Sequence, residues 1–267
     1  MELVHIVPHK YLPLVVNKEW QFVVSPDVSV EQIHFLNHQK GTYKIIVDNG
    51  AFEGKAEAFG KVMECALRLD GKVEVVLPDV LFDAESTKLR IHDVLPLLKE
   101  FPQFSWMVVP QGSNVIEYQD CVSWCLQLPI QTIGFSYVAI FKSLGTGGNS
   151  IRASFIHKMN HALEFETYDK KFHCLGLGRS PFELEFLKSI PYIRSCDSSL
   201  AARATVQHID LSNVMGRDWQ LYQRRPEYFF LLKDLDETLL LHNINFLDDV
   251  VSGKVLCELT WFTAAKG

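Results

Sequence analysis

"KIIVDNGAFE", residues 44 to 53, is an apolar run that stops on a carboxylate and turns at once through Asn49, Gly50 and Ala51. A run ended in this way predicts a buried strand that delivers Asp48 to the rim of a sheet. A second reading stands beside it, in which Asp48 caps the following helix through its side-chain oxygen. The pattern recurs along the chain. "QFVVSP" (21–26), "VEVVLPD" (73–79), "WMVVPQG" (106–112), "QTIGFS" (131–136), "FHCLGLG" (172–178), "YIRSCDSS" (192–199) and "TVQHID" (205–210) are further β-rich runs. Between most of them lie stretches with helical spacing, such as "AEAFGKVMECALRL", "TKLRIHDVLPLLKEF", "EYQDCVSWCLQL" and "SPFELEFLKSI".

Alternation of strand and helix demands a parallel sheet with helices outside it. About eight such units fit a closed (β/α)8 barrel, whose usual size of about 250 residues matches a chain of 267. The expected fold is therefore α/β, one TIM-barrel domain over residues 1–267. A doubly wound open sheet competes with it, but the first βα turns carry no GxGxxG for a dinucleotide. "SLGTGGNS" (143–150) reads as a loop over the barrel mouth.

Hydrophobic residues make up 48% of the chain, ample for a core of this size. No run approaches the about 20 apolar residues of a membrane span, and the first residues lack a signal-peptide layout, so a cytoplasmic protein without membrane contact is expected. The net charge of −6 argues against indiscriminate nucleic-acid binding while leaving room for a local basic groove. The six cysteines form no CxxC pair and read as buried thiols; Cys121 and Cys125, four apart, fit a buried helical face better than a metal site.

In a barrel of this kind the chemistry sits at the carboxyl ends of the strands. The residues that end the runs are Asp48, Asp79, Gln111, Gly134, Gly176 with Gly178, and Asp197. Each acid alone is explicable as a helix cap, Asp79 after Pro78 above all. Three carboxylates and an amide at equivalent places point instead to a site.

These residues resemble the guanine transglycosylases, the base-exchange enzymes of queuosine and archaeosine biosynthesis. "VDNGAFE" is similar to the family's SDSGGFQ, "VPQGSN" to VQGS and "TIGFS" to IGGLS, while "LPDV" stands where DEC follows the next strand. "CLGLGRSPFELEFL" resembles LMGVGTPEDLL, "SCDSSLAAR" resembles FDCVMPTR, and "LHNINFL" resembles HHNLxFL. The resemblance implies Asp197 as the nucleophile at C1′ of the target nucleotide and Asp48 as the proton carrier. It implies Asp79 and Gln111 as readers of the base edge, backbone contacts at Gly134, Phe135 and Gly176, and Phe52 and Leu175 on either side of the ring. Arg203 falls on a phosphate-contacting arginine. The chemistry agrees, since cleavage of an N-glycosidic bond calls for one carboxylate to trap the sugar and a second acid to move protons.

The chain departs from that family in its metal site. Many members hold zinc with CxCxxC and a later His; here His242 is present but the region before it has no cysteine, so no zinc, no zinc-binding subdomain and no cofactor are expected, and His242 reads as a buried, hydrogen-bonded histidine. Compact relatives without zinc resemble the phage branch that replaces guanine in DNA with a 7-deazaguanine such as preQ0. That is the activity implied, with DNA and the free base as partners and, as in many members, a second copy of the chain. "RDWQLYQRRPEYFF" (217–230) sets Arg224 and Arg225 among aromatic residues, suited to phosphates and unstacked bases, or equally an ordinary solvated helix. The alternatives are a tRNA-acting transglycosylase, a non-catalytic nucleic-acid-binding barrel, and a phosphate-binding metabolic barrel with "LGLGRS" as its cradle.

Overall fold

The computed structural model describes residues 1–16, 18–39, 43–52, 54–145, 150–214, 219, 221 and 228–256. Eight parallel strands form one sheet: β1 (Glu2–His5), β2 (Trp20–Val24), β3 (Lys44–Asp48), β4 (Lys72–Val76), β5 (Ser105–Val108), β6 (Thr132–Ser136), β7 (Lys171–Leu175) and β8 (Ile193–Ser198). Their order is β1-β8-β7-β6-β5-β4-β3-β2, and β1 lies against β2, so the sheet curls into a nearly closed (β/α)8 barrel. The helices are α1 (Val30–His38), α2 (Phe59–Leu67), α3 (Ala84–Leu98), α4 (Val115–Leu126), α5 (Tyr137–Leu144), α6 (Ile151–Leu163), α7 (Phe182–Leu187), α8 (Leu200–Val206) and α9 (Glu237–Ser252). None of the described helices is long and apolar enough to cross a membrane.

The continuous apolar character of β3 follows from burial on both faces. Ile46 joins the core that includes Phe22, Val76 and Met107, whereas Ile45 and Val47 pack with Ile33 and Leu36 of α1 and with Val62, Met63 and Ala66 of α2. Helix starts follow side-chain caps: Ser29, Asp83, Asn114, Ser136 and Asp236 each accept a backbone N–H from the first turn of α1, α3, α4, α5 and α9. Cys121 and Cys125 are both buried on α4, as their spacing predicted.

One expected strand is wrong and another was missed. Residues 205–210 close α8 and turn toward α9. Thr205 Oγ1 donates to Ala201 O four residues back, and Asn243 of α9 bonds Ile209 O and Leu211 N. Backbone groups that a strand would pair are thus satisfied by the helix and by one asparagine. The eighth strand is β1, which pairs with β8 from Glu2↔Ser195 to His5↔Ser198.

The amino end of the barrel is closed by charge. The β7–β8 pairing steps from Phe172↔Ile193 to His173↔Ser195, leaving Arg194 as the extra residue of a bulge. Arg194 crosses to β4, where its two terminal nitrogens meet Glu74 at 3.0 and 2.7 Å. Thr132 donates to the same carboxylate at 2.6 Å, and the guanidinium lies 4.2 Å from the Trp20 ring centroid. This pair forms a floor beneath the carboxyl-end mouth.

Candidate functional site

The strand ends gather the acids as expected, but neither Asp48 nor Asp79 is a helix cap. Ala58 precedes α2 and Asp83 caps α3. Asp48, half-buried, accepts the Gly50 N–H at 3.2 Å in a turn of its own making. Asn49 turns the other way, donating to Leu77 O and to Asp79 Oδ1 at 3.0 and 2.7 Å.

Asp79 is buried and doubly bonded, to Asn49 on one oxygen and to Gln111 Nε2 at 2.6 Å on the other. Gln111 Oε1 in turn accepts the Phe82 N–H at 3.1 Å. Burial pushes the Asp79 carboxyl up to about 6, against the pull of the Asn49 and Gln111 donors. The two side chains expected to read a base edge are thus engaged with each other.

Asp197 of β8 is, like Asp79, a buried acid of the mouth. His173 of β7 approaches its Oδ1 through Nε2 at 3.1 Å, and the Gly176 N–H donates to the same oxygen at 2.9 Å. Gly176 has φ +69°, a left-handed turn that brings its N–H over the end of β8. The other ring nitrogen of His173 meets Ser195 Oγ at 2.9 Å, and Arg194 Nε donates to that hydroxyl at 3.0 Å. A bonded line therefore runs from the Glu74 floor to the Asp197 rim.

The remaining expected residues divide. Phe52 is 58% exposed, whereas Leu175 is half-buried. Gly134 is a packing position: a Cβ there would stand 2.8 Å from Leu175 Cδ1 and 3.0 Å from Met107 Sδ, so its missing side chain lets the interior fill. The Phe135 ring is fully buried, stacked with Phe165 and Phe172, and its carbonyl accepts from Arg152. Arg203 is largely buried; burial, then the nearby charge of Arg179, pulls its guanidinium below the usual range. Arg224 and Arg225 lie outside the described residues, as do residues 146–149 of the expected mouth loop. His242 is hydrogen-bonded but not buried: its Nε2 lies 2.9 Å from Asp210 and its side chain is 49% exposed, because α9 turns that face outward. Among the described residues no group of three or more His, Cys, Asp or Glu is placed to hold a metal ion.

Residues not anticipated from the sequence carry much of this arrangement. His173 stands two places before Leu175, hence on the same face of β7. Arg152 of α6 and Glu183 of α7 form a buried pair at 2.7 Å behind the β6 and β7 ends. Arg152 also donates to Leu175 O at 2.9 Å, and Glu183 accepts the Gly178 N–H at 2.6 Å. A helix-to-helix ion pair of this kind leaves no mark in a motif.

No family model and no curated protein matches the chain. Among solved structures it is similar to an aldolase, QR15, at 12% identity and a TM-score of 0.51, over 75% of this chain and 90% of that one. It is also similar to a putative deoxyribose-phosphate aldolase from Coccidioides immitis, at 10% identity and a TM-score of 0.44, over 70% and 71%. At such identities the likeness shows the barrel alone. The expectation of guanine exchange in DNA is corrected here: the similar structure at a TM-score of 0.51 is an aldolase rather than a base-exchange enzyme.

Proposed function

We propose that the protein is an enzyme that moves a proton at a carbon beside a carbonyl group, in a small substrate bearing a phosphate or other anionic group. The observation that carries this reading is Asp197, an enclosed carboxylate at the barrel mouth held by His173 and the Gly176 N–H. Its carboxylate removes the C–H proton, the bonding pair moves onto the carbonyl to give an enolate, and the resulting acid returns the proton. Carbon–carbon bond formation or cleavage of the aldolase type belongs to the same class, since it proceeds through the same carbanion equivalent. Asp48 is the second proton-carrying group of the mouth.

Two further observations favour this class. Among the described residues the strand lysines, Lys44, Lys72 and Lys171, each open their strand at the end away from the mouth, out of reach for an imine with a substrate bound there. Proton transfer then falls to the carboxylates. Arg179 follows β7 and Arg203 lies on α8, directly after β8, and the loops after the seventh and eighth strands are where barrels commonly seat a phosphate.

The test is solvent exchange. A panel of phosphorylated aldehydes and ketones, incubated with the protein in deuterated water and followed by NMR, is expected to include members that acquire deuterium next to the carbonyl. Asp197→Asn should abolish that exchange. Absence of exchange across the panel, or exchange that survives in Asp197→Asn, would overturn the reading.

A further inference from the structure

The line of bonds beneath Asp197 assigns a role to His173 that goes beyond the acid it touches. Ser195 is fully buried, and its Oγ receives the Arg194 Nε–H at 3.0 Å while lying 2.9 Å from His173 Nδ1. Arg194 is a donor only, so one lone pair of Oγ is occupied and the hydroxyl proton still needs an acceptor. Nδ1 of His173 is the acceptor recorded for it among the described residues. If Nδ1 carried a proton instead, two donors would face Ser195 and its own hydroxyl proton would be buried with nowhere to go.

We infer that Ser195, fixed by Arg194 and Glu74, sets the His173 tautomer with its proton on Nε2, making His173 a positioning residue that holds Asp197 Oδ1 and presents Oδ2 to the mouth. Both donors to Asp197, His173 Nε2 at 3.1 Å and Gly176 N at 2.9 Å, reach Oδ1. Two fixed donors on one oxygen lock the carboxylate's rotation and direct its remaining basicity to the other. Arg194 is tied to Glu74 through both terminal nitrogens, so the orientation of the Ser195 hydroxyl is set from the floor of the barrel. This inference deepens the proposed function and rests on it for the use made of Oδ2. The tautomer itself does not depend on that function.

Long-range proton–nitrogen correlation NMR on protein labelled with ¹⁵N at histidine tests it without a substrate, with the His173 signals assigned by their loss in His173→Gln. The expected wild-type pattern has the proton on Nε2 and Nδ1 as acceptor. Ser195→Ala should bring in signal from the Nδ1-protonated form, and Ser195→Thr, which keeps the hydroxyl, should restore the original pattern. A wild-type ring protonated on Nδ1 or on both nitrogens overturns the inference even if Ser195→Ala fails to fold. An unchanged pattern in folded Ser195→Ala overturns it equally. If the tautomer is as stated while Asp197→Asn retains exchange on the substrate panel, the proposed function fails and the tautomer assignment stands. Asp197-dependent exchange with a different tautomer separates them the other way.

Discussion

Arg152 Nε donates to Glu183 Oε1 at 2.7 Å with both side chains buried, and this pair joins α6 to α7 directly behind the ends of β6 and β7. The guanidinium also caps the carbonyls of Phe135 and Leu175, and the carboxylate takes the N–H of Gly178. The ends of β6 and β7 and the turn at Gly178 are therefore tied to one ion pair.

Removing one partner leaves the other charge buried, which typically costs about 3–5 kcal/mol. Arg152→Met and Glu183→Leu should each lower the unfolding free energy measured in urea by that amount. The double variant should recover part of the loss, because two apolar side chains leave no buried charge. Single variants within about 0.5 kcal/mol of wild type, the range of an ordinary surface change, would show that the pair does not organise this corner.

Asp79 makes a pH prediction with a definite sign. Burial raises its carboxyl from the ordinary 3.8 to about 6, so the folded state binds the proton more tightly than the unfolded chain does. The associated stability is fully present below the unfolded value and is lost as pH rises through about 6. Asp79→Asn removes this dependence. The melting-temperature difference between wild type and Asp79→Asn should therefore move in favour of wild type as pH falls from about 7 toward 4. A difference that stays flat across that window would place the carboxyl at its ordinary value.

Most of the barrel was legible in the sequence because parallel strands buried on both faces are continuous apolar runs, and the run 44 to 48 coincides with β3 residue for residue. Strand β1 was missed because four residues, Glu2–His5, give no alternation to read. Residues 205–210 misled because their β-branched residues are held in helix and turn by Asn243, thirty or more positions away. At the site, the strand-end rule located Asp48, Asp79, Gln111 and Asp197, since position at the rim follows from where a run stops. Their partnerships did not follow. That Asp79 pairs with Gln111, and Asp197 with His173, depends on how neighbouring strands are staggered: His173 lies opposite Ser195 and so one same-face step below Asp197, and that is set by register.

Asp48→Asn separates proton transfer from fold. The amide oxygen still accepts the Gly50 N–H, so the turn at 48 to 51 is retained. In the deuterium-exchange assay the variant should lose about 10²–10⁴-fold, the usual contribution of a general acid or base, with little change in melting temperature. Wild-type exchange in Asp48→Asn would remove this residue from the chemistry and leave Asp197 to act alone.

Two glycine substitutions should move stability in opposite directions, for reasons that the local geometry supplies. A Cβ on Gly178 would lie 2.3 Å from Tyr137 Cε2 and 2.5 Å from Glu183 Oε2, so alanine must displace the ring, the carboxylate or the turn. The carboxylate is not free to yield, since it holds both Arg152 and the Gly178 N–H. Overpacking of this kind costs about 1–3 kcal/mol, and the shift would also loosen the buried ion pair. Gly60, the second residue of α2, has nothing within 4 Å of a built Cβ and lies on an exposed helical face. Alanine there narrows the unfolded ensemble and suits the helix, a gain of about 0.4–1 kcal/mol. Denaturant melts of the two variants should thus fall on either side of wild type. Gly178→Ala at or above wild-type stability would mean that the turn after β7 is not clamped between Tyr137 and Glu183, and the Arg152 corner would lose its hold on the mouth.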